Sequence, residues 1–105
     1  MNFDCIISHK EMSLAVKNKR CICFQYGKEK FQIATKDVGY VVMQAPGILT
    51  SGSIIFYDKS GETLSYTTDC GMPMWVFIKV SRREKDSFCL MNNILKEMGL
   101  DVRSI

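Results

Sequence analysis

Long hydrophobic runs are missing from this sequence of 105 residues. No segment approaches the roughly 20 consecutive apolar residues that a membrane-spanning helix needs, so no transmembrane segment is predicted. The N-terminal residues, MNFDCIISHK, have no basic region ahead of a long apolar one, and a signal peptide is therefore not predicted. Apolar residues make up 47% of the chain, enough to bury one core, and we predict a single cytoplasmic domain over residues 1–105.

Histidine is scarce, and cysteine occurs in an odd number. His9 is the only histidine, so a Cys–His or Ser–His catalytic pair would have to use it, and no nucleophile motif lies near it. The five cysteines are irregularly spaced, unlike the even sets of secreted disulfide frameworks, which favours free thiols in a reducing compartment. Cys21 and Cys23 lack the Cys-x₂₋₄-Cys spacing usual for zinc, so apolar packing is favoured over a metal or redox role.

Catalytic and nucleotide-binding motifs are also missing. The sequence contains no P-loop, no dinucleotide fingerprint, no HExxH segment and no paired carboxylate motif. We therefore predict that the protein is not an enzyme and that it holds no cofactor or metal.

The net charge of +3 is modest and unevenly distributed. Residues 1–36 carry seven Lys or Arg against three Asp or Glu, whereas the rest of the chain is close to neutral. This imbalance favours weak attraction to an acidic partner but falls short of a nucleic-acid-binding surface. Arg82 and Arg83 stand near the start of the helix predicted below, where cations are unfavourable. A functional role or neutralisation by Glu84 and Asp86 would explain them, and we favour simple solvation.

Short strand-like segments between turn signals fill most of the chain. The predicted strands cover roughly residues 3–8, 12–16, 20–26, 31–34, 38–44, 53–58, 63–67 and 74–80. A succession of this kind, with few residues between strands, is typical of an antiparallel meander and predicts a mainly β fold.

Near the end of the chain, apolar residues no longer alternate with polar ones but recur every three or four residues. The residues that follow this spacing are Phe88, Met91, Ile94, Leu95 and Met98. They predict one helix of about 82–98 with an apolar face, a capping box formed by Ser81 and Glu84, and a C-cap at Gly99. Because a single helix covers the open end of a curled sheet better than a flat one, we predict a barrel capped by a C-terminal helix.

Four short motifs in this framework follow one another in a familiar order. They are Asp37-Val38-Gly39-Tyr40-Val41, Gly52-Ser53-Ile54-Ile55-Phe56, Trp75-Val76-Phe77, and a helix carrying Phe88, Met91 and Leu95. Over roughly residues 13–98 the chain resembles the pleckstrin-homology-like (PH-like) domains of bacteria and phages, especially small modules fused to an oligomerisation tail, which this chain does not show. The resemblance implies a strongly bent, seven-stranded antiparallel sheet capped by the helix, and binding rather than catalysis.

The first candidate binding surface is the group Met72, Met74 and Trp75. Exposed methionine beside tryptophan is common at protein-binding surfaces. Packing in the core or at the barrel rim is the favoured interpretation of these residues, and a binding surface is the functional one.

The second candidate surface is basic and comprises Lys17, Lys19, Arg20, Lys28 and Lys30. The resemblance implies that a loop joining early strands can hold the phosphates of inositol lipids, which needs several cations to converge. The alternative is a solvated strand edge whose lysines prevent edge-to-edge pairing.

These patterns predict a small non-catalytic binding module that acts through protein–protein contacts. The family resemblance and the small size favour an inhibitor or immunity protein encoded by a phage or mobile element. Binding of anionic lipid or phosphate by the basic group is the alternative, and a Cys/His enzyme is the least favoured. The partner protein stays unidentified, homo-oligomerisation is compatible with the sequence, and nucleic acid is not a predicted partner.

Overall fold

Short β-strands are the main regular structure of residues 2–105, the part of the chain that the computed structural model describes. Within that part, ten strands, two 3₁₀ turns over Thr35–Asp37 and Arg82–Glu84, and one helix, α1 (Lys85–Glu97), follow one another. The strands are β1 (Cys5–His9), β2 (Met12–Lys17), β3 (Cys21–Tyr26), β4 (Glu29–Ile33), β5 (Tyr40–Gln44), β6 (Gly52–Tyr57), β7 (Ser65–Thr67), β8 (Pro73–Trp75), β9 (Phe77–Val80) and β10 (Val102–Ser104).

The strands form three sheets. Sheet A is the antiparallel meander β1-β2-β3-β4, and sheet B has the order β10-β5-β6-β9. All pairs in sheet B are antiparallel except β10, which runs parallel to β5. Sheet C is the short hairpin β7-β8. The first six predicted strands correspond to β1–β6 within two residues at each end.

The core lies between the inner faces of sheets A and B and the apolar face of α1. Alternation along β6, where every second side chain is buried, is the two-residue period expected of a strand with one face on the core. The largest side chains with less than 2% of their surface exposed are Phe24, Phe56, Ile7, Leu14, Ile22, Met43, Ile54, Ile78, Met91 and Leu95.

Helix α1 confirms the predicted apolar face, since Phe88, Met91, Ile94 and Leu95 are all buried. It contacts β1 of sheet A and β10 of sheet B, so one helix links the two sheets. Gly99 confirms the predicted C-cap, because its φ of 86° is left-handed and its N–H donates to the Lys96 carbonyl.

The predicted capping box is wrong. Ser81 makes no side-chain hydrogen bond to the helix backbone, and its hydroxyl instead donates to Glu84 Oε1 at 3.5 Å. Glu84 Oε2 accepts the backbone N–H of Ser8 at 3.0 Å, so this carboxylate binds sheet A. The 3₁₀ turn over Arg82–Glu84 takes up the residues that the prediction assigned to the first helical turn, and α1 begins at Lys85.

A mainly β fold with one helix near the C-terminal end is confirmed, but the seven-stranded capped barrel is wrong. The predicted strand 74–80 is two strands, because Val76 donates its N–H to Leu64 and accepts the N–H of Phe56, which changes the pairing partner from β7 to β6. β10 follows the helix, and its three residues are too few to show the alternation that predicts a strand. Separate sheets A and B therefore enclose the core instead of one closed barrel.

Among the described residues, the structure contains no helix of the length and apolar character needed to cross a bilayer.

Replacement of Met91 by alanine is expected to lower the free energy of unfolding by about 2–5 kcal/mol, because Met91 is fully buried where α1 meets the core. The matched control is Cys89→Ala, an exposed position on the same helix, which we expect to change stability by less than about 0.5 kcal/mol. Urea unfolding followed by circular dichroism measures both values. Equal losses in the two variants would contradict the packing described for α1.

Candidate functional site

An apolar groove separates the β7-β8 hairpin from the ends of β2 and β3, and we call it the Trp75 groove. Its volume is about 410 Å³. Met72 and Trp75 stand on one side with 62% and 51% of their surfaces exposed, and Phe77 and Tyr26 are also exposed. Exposed aromatic and methionine side chains gathered in one concave place are unusual on a surface that has no partner.

The turn between β7 and β8 presents Met72 at the groove. Thr68 closes this turn: its carbonyl accepts the N–H of Gly71 at 2.9 Å, and its Oγ1 accepts the N–H of Met72 at 3.1 Å. Gly71 has a φ of 86°, a left-handed conformation that glycine adopts without steric cost. Threonine and glycine at these positions therefore determine where the chain reverses and where Met72 projects.

The hairpin is attached to sheet A by an aromatic contact. Tyr66 of β7 stacks on Phe31 of β4 with ring centroids 5.6 Å apart, and its hydroxyl lies 3.4 Å from Asp37 Oδ2. Burial raises the pKa of Tyr66, with the Asp37 carboxylate adding to the rise, so the phenol stays protonated and can donate to that carboxylate. Sheet C is thereby held against sheet A, which sets the two sides of the groove.

Alternation along β8 and β9 decides which predicted residues reach the surface. Trp75 and Phe77 are exposed, whereas Val76 is buried and Met74 packs against the core. Met72 and Trp75 therefore lie together at the groove opening, while Met74 contributes mainly to the core. β8 begins at Pro73, one residue before the predicted strand 74–80, and Met72 lies in the turn ahead of it.

Sequence reasoning missed several residues of the groove, among them Phe77, Met12, Tyr26 and Glu29. Phe77 could have been found, because it lies two positions after Trp75 in an extended segment and so shares its face. Met12 and Tyr26 pair with each other between β2 and β3, but only the tertiary structure brings them to β8.

The backbone of β8 contributes polar groups at its outer edge. The N–H of Thr68 donates to the carbonyl of Met72, and the N–H of Val76 donates to the carbonyl of Leu64. Backbone groups of successive residues in an antiparallel pair point alternately toward and away from the partner strand. The N–H and C=O of Trp75 therefore point away from β7. Pro73 has no N–H to donate, which limits unspecific pairing along this edge.

The charge at the groove is negative and comes from a single side chain. Among residues 2–105, Glu29 is the one charged side chain that lines it. A ligand held here would therefore contact mainly apolar side chains and meet one carboxylate near the turn between β3 and β4.

The predicted basic group is not brought together. Lys17, Lys19 and Arg20 lie at the β2–β3 turn, whereas Lys28 and Lys30 lie at the β3–β4 turn, at the other end of the six-residue β3. At 3.4 Å per residue these turns are roughly 17 Å apart, too far for one phosphate group to contact both.

Lys19 is also engaged within the protein. Its Nζ lies 2.7 Å from Glu97 Oε2, and its backbone N–H donates to Asp4 Oδ2 at 2.8 Å. The hydrogen bond to Glu97 raises the pKa of the Lys19 ammonium group, so the lysine stays charged but is already paired.

Cys5 and His9 do not form a reactive pair. Cys5 and His9 occupy the two ends of β1, about 13 Å apart along the strand, and Cys5 is buried with its Sγ 3.2 Å from the Ser87 carbonyl oxygen. Within the described chain, no group of three or more His, Cys, Asp or Glu side chains lies close enough together to hold a metal ion.

A second depression lies on the outer face of sheet A and is broader, at about 570 Å³. Its lining includes the exposed Phe3 and Ile6 together with smaller side chains such as Ser13, Ala15 and Cys23. It lacks the exposed tryptophan and methionine that distinguish the Trp75 groove, so we regard the groove as the better binding site.

No protein-family model matches this sequence, and no curated protein is significantly similar to it. The PH-like resemblance therefore stays a prediction.

Iodoacetamide is expected to modify Cys23, Cys70 and Cys89 at least about tenfold faster than Cys5 at mildly alkaline pH. These three thiols are exposed, whereas burial raises the pKa of the Cys5 thiol, with the Glu84 carboxylate adding to the rise, and so lowers its thiolate fraction. Peptide mass spectrometry at successive times measures the rates, and the protein unfolded in urea is the control. Equally fast labelling of Cys5 in the native protein would contradict the packing of β1 against α1.

Proposed function

We propose that this protein is a non-catalytic binding module that holds an extended, apolar segment of another protein in the Trp75 groove. The observation that carries the proposal is the joint exposure of Met72, Trp75, Phe77 and Tyr26 around one concavity. Tryptophan and tyrosine give large contact areas at low conformational cost, and a few such residues commonly dominate binding energy.

The shape and edge of β8 favour an extended ligand over a helix. The outward N–H and C=O of Trp75 can pair with the backbone of an added strand, while the apolar groove accepts alternate side chains of that strand. Because β8 has only three residues and begins with proline, the paired stretch is short. Side-chain contacts in the groove therefore supply most of the affinity.

Glu29 specifies a further property of the segment. Since it is the charged residue at an otherwise apolar site, a Lys or Arg at one end of the bound segment would meet it. We infer a ligand with two or more apolar side chains and a neighbouring basic residue. An inhibitor or immunity protein is one use of such a site, because a segment held in the groove is masked from its other partners.

PH-like ancestry is part of this proposal. The early antiparallel meander and the helix that follows β9 support it. The alternative of anionic-ligand binding by the predicted basic group has less support, because its cations lie at two separate turns.

Selection from a displayed library of random peptides tests the function. We expect enrichment of apolar peptides carrying a basic residue, and a blue shift of the fluorescence of Trp75, the only tryptophan, when they bind. Trp75→Ala should weaken the selected peptides by about 30-fold, the cost typical of a dominant interface residue, and Glu29→Gln should weaken them more at low salt than at high salt.

The matched control is Leu90→Ala, an exposed apolar residue of α1 outside the groove, which should leave peptide affinity unchanged. Circular dichroism checks that all variants are folded. Failure to enrich any peptide that depends on Trp75, or an equal loss of affinity in Leu90→Ala, would overturn the proposal.

A further inference from the structure

A second exposed apolar feature lies on the loop of residues 45–51 between β5 and β6. Ile48 and Leu49 are 80% and 95% exposed, so neither packs against the rest of the chain. The N–H of Gly47 donates to the Thr50 carbonyl at 2.9 Å and closes the turn around them. Two large aliphatic side chains are thereby held side by side at the apex of a tight turn.

Ile105 adds a third apolar side chain at the same end of sheet B. Its N–H donates to the Met43 carbonyl at 3.1 Å, which places it beside the end of β5 from which the loop departs. It is 80% exposed. We call this end of the sheet, with Ile48, Leu49 and Ile105, the apolar tip.

Cations lie beside the apolar tip because β9 ends there. Gly52 pairs with Val80 and Ser53 with Lys79, so the start of β6 adjoins the end of β9. Arg82 and Arg83 follow immediately and are exposed, as are Lys79 and Lys85.

The acidic residues nearby offset these cations only in part. Glu84 keeps its negative charge and accepts the Ser8 N–H and the Ser81 hydroxyl. Asp86 is the other acidic residue of this segment. Four cations against two carboxylates leave this end of sheet B positive. Arg82 and Arg83 can therefore attract an anionic partner.

We propose that the apolar tip binds the surface of a bilayer containing anionic lipid. Ile48 and Leu49 would enter the boundary between headgroups and acyl chains, while Arg82 and Arg83 contact the lipid phosphates. The tip is convex, so a protein partner would need a matching pocket, whereas a bilayer accepts a small apolar projection of any shape. The cations beside the tip complement an anionic surface. This surface is separate from the Trp75 groove, and the proposal does not depend on peptide binding there.

Vesicle sedimentation tests the proposal with the full chain. We expect binding to phosphatidylcholine vesicles that contain phosphatidylserine, little binding to phosphatidylcholine alone, and weaker binding as salt rises. Ile48→Gln with Leu49→Gln should lower the partition coefficient by about tenfold or more, because the inserted aliphatic groups are lost. Arg82→Gln and Arg83→Gln should lower it by about fivefold each.

Two control variants match these changes. Leu90→Gln removes an exposed leucine on α1, and Lys36→Gln with Lys59→Gln removes two exposed lysines beyond the opposite end of β5 and β6. Both should bind anionic vesicles like the unmodified protein. Equal losses in the controls would overturn the assignment to the apolar tip.

A spectroscopic readout keeps the proposal testable apart from sedimentation. In a Trp75→Phe, Leu49→Trp variant, fluorescence should shift to the blue with anionic vesicles and be quenched by lipids brominated near the headgroup end of the acyl chain. An unshifted spectrum would overturn insertion. Self-association that needs Ile48 and Leu49 but no lipid would also overturn it, in favour of a second copy of the chain.

Discussion

Burial of one continuous apolar core between sheets A and B is the interaction on which the rest of the structure depends. Side chains from both sheets and from α1 join in a single cluster, and α1 contacts one strand of each sheet. Because an isolated two-stranded hairpin is marginally stable, sheet C acquires its position by packing against this core and against Phe31. The Trp75 groove exists because that packing leaves one side of the hairpin open.

Val76 links the core to the groove. Its side chain is buried, its N–H donates to Leu64 just before β7, and its C=O accepts the N–H of Phe56 in β6. The chain on either side of it therefore belongs to different sheets. The residues next to it, Trp75 and Phe77, then face away from the core. A change at Val76 would therefore act on stability and on the groove together, whereas changes at Trp75 or Met72 act mainly on the surface.

The two proposed surfaces use apolar exposure in different ways. At the Trp75 groove, aromatic and methionine side chains line a concavity with one carboxylate, which suits a segment of protein. At the apolar tip, Ile48 and Leu49 project from a convex turn beside cations, which suits an anionic interface. The exposed side chains of both surfaces lie outside the core that sheets A and B and α1 enclose.

Alternation and helical spacing alone determined β1–β6, the apolar face of α1 and the C-cap at Gly99, because these follow from local backbone geometry. The sequence also indicated Met72 and Trp75 as surface candidates. Only the tertiary structure decided that Val76 divides one apparent strand, that Glu84 bonds to Ser8 instead of capping the helix, and that Lys17 and Lys30 lie at separate turns. It also brought Tyr26 to Trp75. Such contacts join residues far apart in the chain, and their free energy depends on how sheets pack, which no local period encodes.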